Sequence, residues 1–315
     1  MNALWIMPAA GSALAMAVAI EPPQNAESIG PDMHKAEVLD IMQDRHQRYT
    51  VPVTIDGSGP YDFMIDTGSQ ATVVTHEISD QLALPSLGSA TLVGMSSIRT
   101  VPLVELDNLQ LGSQVLHDLS APVLERDHIG ADGIIGLDSL QDMRVLFDFR
   151  NETIAVESIA DRSSNRGFEI VVRANSRSGR LLITDALVEG IRATVIIDTG
   201  AQASIGNLAL QDKVRARRLH EVETTDVNGV TAINDMSLTR RLTIQDFSLT
   251  NIPITYADAP AFAVLGLKDR PALSLGMQHL KLFDRVAIDF SKRRVLFDLP
   301  REAARDVRTP FGRKM

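Results

Sequence analysis

The chain has 315 residues, a formal net charge of -9 and no cysteine. This length allows about two domains, and the acidic balance argues against nucleic acid as the main partner, because phosphate binding requires a basic field. Without cysteine there is no disulfide framework, thiolate nucleophile or Cys-ligated zinc site. The histidines are scattered, and His76-Glu77 lacks the second histidine that a zinc-binding helix requires, so we predict no metal and no cofactor.

The first twenty residues have the character of a targeting segment. Residues 3–20 carry no charge, and Ala17-Val18-Ala19 offers small residues where a signal peptidase could cut. We therefore predict a signal peptide or membrane anchor over residues 1–20 and an exported, periplasmic location; a disordered apolar tail is the alternative. Residues 21–47, rich in proline and polar residues, predict a tether with a short helix over Met33 to Arg45.

The rest of the chain repeats itself. Residues 48–160 and 168–300 each contain a hairpin, an apolar strand ending in Asp-Thr-Gly, several short strands, and a glycine turn before a closing strand. The two Asp-Thr-Gly motifs lie 132 residues apart, which is too long for a solenoid unit and indicates a duplicated domain. The short strands, rich in Val, Ile and Thr, predict mostly β structure, with one short helix after each of Gly136 and Gly276. Residues 301–315 are predicted to be a C-terminal tail.

The matched motifs are Asp66-Thr67-Gly68 and Asp198-Thr199-Gly200. Either aspartate alone could be a strand-end turn residue that caps its own backbone. As a pair they place one carboxylate in each half, and the two would meet if the halves pack about a pseudo-two-fold axis. Like charges so close cannot both ionise, so the pair would hold one proton. The ionised member could then deprotonate a water while the protonated member hydrogen-bonds a carbonyl oxygen, without metal or covalent intermediate.

Four sequence blocks carry a family resemblance: Phe63-Met-Ile-Asp-Thr-Gly-Ser69, Val195-Ile-Ile-Asp-Thr-Gly-Ala201, Ile134-Ile-Gly-Leu-Asp-Ser-Leu140 and Leu275-Gly-Met-Gln-His-Leu280. Over residues 48–300 the chain resembles the retropepsin-like and pepsin-like aspartyl peptidases, in particular bacterial retropepsin-like proteins with both lobes in one chain. The resemblance implies an all-β fold of two homologous acid-protease β-barrel lobes with short helices. It implies a catalytic dyad of Asp66 and Asp198 at the lobe interface, in an active monomer that cleaves extended polypeptides.

The resemblance also assigns supporting roles. Thr67 and Thr199 would cross-link the two active loops by reciprocal hydrogen bonds, and a glycine-containing hairpin downstream of each aspartate would form a substrate flap. The loop-support residues would be Thr67, Gly68, Ser69, Thr199, Gly200 and Ala201, and the flap candidates are Val93, Gly94, Met95, Val227, Asn228 and Gly229. A peptide under such a flap would add strand-like backbone bonds.

Two differences separate the halves. Gln278 stands where the first half has Asp138, and Ala201 stands where it has Ser69. A Ser69 hydroxyl that donates to Asp66 would favour the charged carboxylate, so we expect Asp66 to be ionised and Asp198 to hold the shared proton. The alternative is that Ser69 fills space or bonds to backbone.

Three functions stay open at this point. The leading hypothesis is an aspartic endopeptidase that acts on a protein of the bacterial envelope. The second is a catalytically silent module whose cleft holds an extended peptide, and the third is a homodimer or regulatory scaffold in which the lobes of one chain do not meet. The sequence favours the enzyme, because a decayed site would be free to lose one aspartate and both are present.

Overall fold

The computed structural model describes residues 4–5, 19–21, 37–39, 42–43, 49–158, 168, 170–177 and 180–300. Most of the predicted targeting segment and tether, and all of the predicted C-terminal tail, lie outside these ranges. Within them, no helix is long and apolar enough to cross a membrane.

The chain folds mostly into β-strands with a few short helices, which confirms the predicted all-β, two-lobed fold. The strands are β1 (Leu4–Trp5), β2 (Ala19–Glu21), β3 (Glu37–Leu39), β4 (Met42–Gln43), β5 (Tyr49–Ile55), β6 (Ser58–Ile65), β7 (Val73–Thr75), β8 (Ser86–Val93), β9 (Ile98–Leu106), β10 (Leu109–Leu111), β11 (Gln114–Leu116), β12 (Leu119–Leu124), β13 (Gly133–Ile135), β14 (Met143–Asp148), β15 (Thr153–Ser158), β16 (Ile170–Arg173), β17 (Asn175–Arg177), β18 (Arg180–Val188), β19 (Ile191–Ile197), β20 (Ile205–Asn207), β21 (His220–Thr225), β22 (Thr231–Ile244), β23 (Phe247–Ala257), β24 (Ala272–Leu275), β25 (Arg285–Asp289) and β26 (Arg294–Asp298). The helices are α1 (His76–Gln81), α2 (Arg126–Ile129), α3 (Leu137–Leu140), α4 (Leu208–Val214), α5 (Pro260–Val264) and α6 (Met277–Leu280).

Two large sheets repeat one topology. The first contains the order β5-β6-β13-β7-β12, and the second contains β18-β19-β24-β20-β23. In the first sheet β6, which leads into Asp-Thr-Gly, runs parallel to β13, the short strand before the glycine turn. In the second sheet β19 runs parallel to β24 in the same way. The two halves are therefore copies of one fold, each with its aspartate at the end of a central strand.

Hydrophobic burial explains why these two strands lie in the middle of their sheets. The three residues before Asp66 in β6 and the three before Asp198 in β19 are apolar and almost fully buried. Because other parts of the protein cover both faces of such a strand, its sequence is a continuous run of apolar residues and does not alternate between apolar and polar residues. Each hairpin that precedes them turns at a glycine with positive φ, Gly57 and Gly190, a conformation that glycine adopts without steric cost.

A third sheet joins the halves, in the order β16-β26-β25-β14-β15-β3. At its centre β14 of the first half pairs antiparallel with β25 of the second, and Leu146 lies opposite Ala287 in the middle of the register. β3 and β4 fall within the residues predicted to be a tether, and they pair with β15 and β5. The helix predicted over Met33 to Arg45 is wrong, because strand pairing takes up the backbone hydrogen bonds at these positions.

The helices predicted after the two glycine turns are present as α3 and α6. The N–H of Leu137 donates to the carbonyl of Ser69 at 3.0 Å, and the N–H of Met277 donates to that of Ala201 at 2.8 Å. A Cβ on Gly276 would lie 2.4 Å from the carbonyl oxygen of Ala203, so this close approach requires glycine. Each active loop thus rests on its own turn and helix.

Candidate active site

Asp66 and Asp198 follow directly after β6 and β19, where the two halves meet. The backbone N–H of Asp66 donates to the carbonyl of Ile135 at 3.0 Å, and that of Asp198 donates to Leu275 at 3.1 Å. Each aspartate is therefore tied to the end of the parallel neighbouring strand. Both are buried, with 0% and 1% of the residue exposed.

Two threonines bind the loops to each other. The N–H of Thr67 donates to Oγ1 of Thr199 at 3.1 Å, and the N–H of Thr199 donates to Oγ1 of Thr67 at 3.2 Å. Each hydroxyl in turn donates at 2.8 Å to a carbonyl of the opposite half, Thr67 to Ile197 and Thr199 to Ile65. These reciprocal bonds fix the two Asp-Thr-Gly loops face to face across the pseudo-two-fold axis.

The glycines of the motifs are required by close approach and not by backbone conformation. Neither Gly68 nor Gly200 has a positive φ. A Cβ on Gly68 would lie 2.6 Å from Oδ1 of Asp198, and a Cβ on Gly200 would overlap the carboxyl group of Asp66. Each glycine therefore leaves space for the carboxyl group of the opposite half, and any larger residue would push the two carboxyls apart.

The Asp66 carboxylate is held by its own loop. Its Oδ1 accepts hydrogen bonds from the N–H groups of Gly68 at 2.7 Å and Ser69 at 3.1 Å. The hydroxyl of Ser69 donates to the carbonyl oxygen of Ala71 at 2.8 Å. The expectation that the Ser69 hydroxyl donates to Asp66 and favours its charged form is therefore wrong. The hydroxyl bonds to a backbone carbonyl in the same loop, which was the alternative drawn from the sequence.

The Asp198 carboxyl has a different set of partners. Its Oδ1 accepts from the N–H of Ala201 at 3.1 Å, and its Oδ2 accepts from the hydroxyl of Ser274 at 2.8 Å. Burial, together with the negative charge of Asp66, raises the pKa of Asp198 to about 6. Below a pH of about 6 the pair is therefore singly protonated, with the proton on Asp198.

Sequence reasoning missed Arg180, the first residue of β18. Its side chain is buried, and Nε and Nη2 donate to the carbonyl of Gly68 in the opposite half at 3.0 Å and 2.5 Å. Its positive charge favours the ionised forms of both Asp66 and Asp198. The repeat carried a signal, because Arg48 precedes Asp66 by the same number of residues as Arg180 precedes Asp198.

The two predicted flaps are hairpins whose tips touch above the site. The β8–β9 hairpin has its tip at residues 94–97, and the β21–β22 hairpin has its tip at residues 226–230. The carboxylate of Asp226 accepts from the N–H of Ser96 at 3.0 Å and from the hydroxyl of Ser97 at 2.6 Å. A carboxylate on one flap thus holds the tip of the other.

Each flap tip also inserts an apolar side chain into the opposite lobe. Met95 is buried against a cluster of the second half that includes Ile196 and Phe262, and Val227 is buried against one of the first half that includes Met64 and Ile134. The other flap candidates lie close to these two side chains. In the first flap, Val93 is the last residue of β8 and Gly94 lies against the carboxyl group of Asp226. In the second flap, the side-chain amide of Asn228 donates to the hydroxyl of Ser97 at 2.9 Å, and Gly229 lies against the ring of His128.

A small cavity lies beside Asp198, under the tip of the first flap. Its lining is mostly apolar, including Met95, Ile196, Phe262 and Leu265, with the three polar side chains of Arg180, Asp198 and Ser274. Among the residues that the structure describes, no three His, Asp or Glu side chains lie close enough together to hold a metal ion.

Residues 51–139, which contain Asp66, the first flap and the turn into α3, match a family model described as aspartyl protease. No curated protein matches the chain.

Proposed function

We propose that this chain, whose residues 51–139 match the aspartyl protease family model, is a single-chain aspartic endopeptidase of the retropepsin-like type with Asp66 and Asp198 as its dyad. The observation that carries the proposal is the pair of Asp-Thr-Gly loops held face to face by reciprocal threonine bonds. Each half supplies one buried carboxyl, and no group of a second chain is needed to complete the pair.

The proposed mechanism uses the unequal environments of the two carboxyls. Asp66, ionised, takes a proton from a water molecule between the carboxyls, and that water attacks the scissile carbonyl carbon. Asp198, which holds a proton up to a pH of about 6, donates a hydrogen bond to the carbonyl oxygen as negative charge develops there. The tetrahedral diol forms as the Asp198 proton passes to that oxygen. It collapses when the amine nitrogen takes the proton that Asp66 received, the C–N bond breaks, and the new carboxyl group returns a proton to Asp198.

The proposed substrate is an extended polypeptide bound between the dyad and the flaps. The outer strand of the first flap, β8, is the end strand of its sheet and offers an edge to which a peptide can add backbone hydrogen bonds. The cavity beside Asp198 is small but lined mainly by apolar groups such as Ile196 and Phe262, so once the flap tips separate it would favour an apolar side chain next to the scissile bond. Because both aspartates are buried and the flap tips touch, substrate entry requires the tips to separate.

Single replacements of the dyad test the proposal. Asp66→Asn and Asp198→Asn should each lower kcat/KM on denatured casein by about a thousandfold or more, because the two carboxyls act as one unit. Asp142→Asn, a change of the same kind at an exposed position, is the matched control and should keep wild-type turnover. Substantial cleavage by either dyad variant would contradict the proposal.

Two further results separate the rival functions. A mixture of Asp66→Asn and Asp198→Asn proteins should stay inactive, since each chain builds its own site; restored cleavage would show that sites form between chains. A wild-type protein that binds unfolded casein without cleaving it at any pH from 3 to 8 would instead identify a silent peptide-binding module.

A further inference from the structure

Ser274 is a polar residue in the middle of an apolar strand. It lies in β24 between Leu273 and Leu275, and all three are buried, with Ser274 itself 3% exposed. A buried hydroxyl is costly unless it is hydrogen-bonded. Its hydrogen bond goes to Oδ2 of Asp198 at 2.8 Å. The side chain is therefore placed against the carboxyl group and not against the backbone.

The first lobe has no hydroxyl at the equivalent place. In the parallel pairing of β6 with β13, Ile134 lies opposite Met64, and in that of β19 with β24, Ser274 lies opposite Ile196. Met64 and Ile196 each stand two residues before the aspartate of their lobe, so Ile134 and Ser274 correspond. Asp198 thus receives a side-chain hydrogen bond from the strand beside it, and β13 offers Asp66 only an alkyl side chain.

We propose that Ser274 is a positioning residue that holds Oδ2 of Asp198 and stabilises the ionised form of that carboxyl, whereas the corresponding position of β13 is the alkyl residue Ile134. The proposal rests on the proposed function, since it assigns Ser274 a part in setting the working protonation state of the dyad. It depends on the geometry of one bond and on the presence of an alkyl side chain, that of Ile134, at the position of β13 that corresponds to Ser274.

Two charged groups of the described chain face Asp198: Asp66 from the opposite loop and Arg180 from β18. Burial and the charge of Asp66 raise the pKa of Asp198, and the hydroxyl of Ser274 and the charge of Arg180 oppose that rise. Without the hydroxyl, the pKa of Asp198 should therefore lie still higher. A dyad that works with one proton loses activity on the basic side when this proton leaves, so the basic limb of its pH profile reports the change.

The expected shifts have opposite signs in the two lobes. Ser274→Ala should move the basic limb of kcat/KM upward by about one pH unit, since a hydrogen bond to a carboxylate changes its pKa by about that much. The acid limb should stay in place. Ile134→Ser, which gives Asp66 a neighbouring hydroxyl, should move the acid limb downward and leave the basic limb in place.

Two further variants separate this role from a structural one. Ser274→Thr keeps the hydroxyl and should restore the wild-type basic limb. Ser69→Ala removes a hydroxyl that bonds to the backbone carbonyl of Ala71, and should leave both limbs at their wild-type pH, whatever it does to the rate. Titration of ¹³C-labelled aspartate carboxyls by NMR in wild type and Ser274→Ala follows the same group without any need for turnover.

The outcomes decide the proposal independently of the proposed function. An upward shift of the carboxyl titration in Ser274→Ala, reversed in Ser274→Thr, supports it even in a protein that cleaves nothing. An unmoved titration, an unmoved basic limb, or a threonine variant that behaves like the alanine variant overturns it. If no chain cleaves peptide at any pH while the titration still shifts, the peptidase function fails and the role of Ser274 stands.

Discussion

The two lobes are alike in backbone and unlike in the side chains that support it. In the first lobe a carboxylate holds the turn below the active loop: Asp138 accepts from N and Oγ1 of Thr72 at 2.9 Å and 2.7 Å. In the second lobe Gln278 replaces this aspartate, and the hydroxyl of Ser204 lies 2.6 Å from Nδ1 of the buried His279. The same backbone turn is thus supported by a carboxylate in the first lobe and by a neutral hydroxyl–imidazole pair in the second lobe.

This contrast separates two kinds of contact. The threonine bonds cross the pseudo-two-fold axis, and they measure 3.1 Å and 3.2 Å in the two directions. Contacts of this kind need a matching residue in each half, because each threonine is both donor and acceptor for the other. Contacts within one lobe carry no such requirement, so the supports below the loops can differ, and with them the chemistry of the two carboxyls.

The largest effect is expected from breaking the symmetric contacts. Thr67→Val and Thr199→Val each remove a hydroxyl that donates to one carbonyl and accepts from one N–H across the axis. Each change leaves a buried N–H and a buried carbonyl without that partner, at about 1–3 kcal/mol apiece. Urea unfolding followed by circular dichroism should show a loss of about 2–6 kcal/mol in each variant.

The equality of the two losses is the sharper part of this prediction. Thr67→Ser and Thr199→Ser keep the hydroxyl and serve as matched controls, which should retain most of the stability. Losses for the two valine variants that differ by more than about 1 kcal/mol would show that the bonds are not equivalent, and would contradict the symmetric picture.

A smaller effect should come from the asymmetric support in the second lobe. Burial lowers the pKa of His279 from 6.5 to about 4. An unfolded chain would take up this proton below pH 6.5, while the folded protein would not until about pH 4, so stability contributed by neutral His279 is lost as the pH falls through this window. The full loss is about 3 kcal/mol. The second lobe, and not the first, should therefore limit stability in acid.

His279→Asn tests this, because an asparagine can keep the hydrogen bond to Ser204 and does not titrate. Its unfolding free energy should fall less than that of the wild type between pH 6.5 and pH 4. Asp198 titrates in an overlapping range in both proteins, so its contribution cancels in the difference. His220→Asn, at an exposed position of β21, is the control. Parallel stability curves for wild type and His279→Asn would refute the assignment.

The duplicated Asp-Thr-Gly motif was readable from sequence because it is local in each half and repeats at a fixed distance. The contacts of Ser274 with Asp198 and of Asp226 with Ser97 could not be predicted from the sequence, because each joins residues that are far apart in the chain. Ser274 is a single serine in an apolar run, and only the parallel register of β19 with β24 places it beside Asp198. Asp226 looks like an ordinary turn residue until the packing of the lobes brings Ser97 to it.

The smallest expected effect concerns the flap tips, which differ as the lobes do. Asp226 of the second flap corresponds in the repeat to Gly94 of the first, so only one tip carries a carboxylate. That carboxylate accepts the hydroxyl of Ser97 at 2.6 Å, and the same hydroxyl accepts from the amide of Asn228 at 2.9 Å. The hydroxyl of Ser97 in the first flap therefore bonds to two side chains of the second flap and links the two tips.

Ser97→Ala should open the tips more often while leaving the internal bonds of the Asp226 turn in place. A hydrogen bond to a charged group contributes about 1.5–3 kcal/mol, so the open population should rise about tenfold or more. Because the chain has no cysteine, spin labels can be attached specifically to a variant with Ile98→Cys and Ile233→Cys, two exposed positions near the tips. Pulsed electron–electron double resonance then measures the distance between the two labels. Thr231→Val, which removes a hydroxyl bond within one flap, is the control and should keep the wild-type distances. A distance distribution unchanged in Ser97→Ala would mean that the buried Met95 and Val227 side chains, and not the carboxylate, hold the flaps closed.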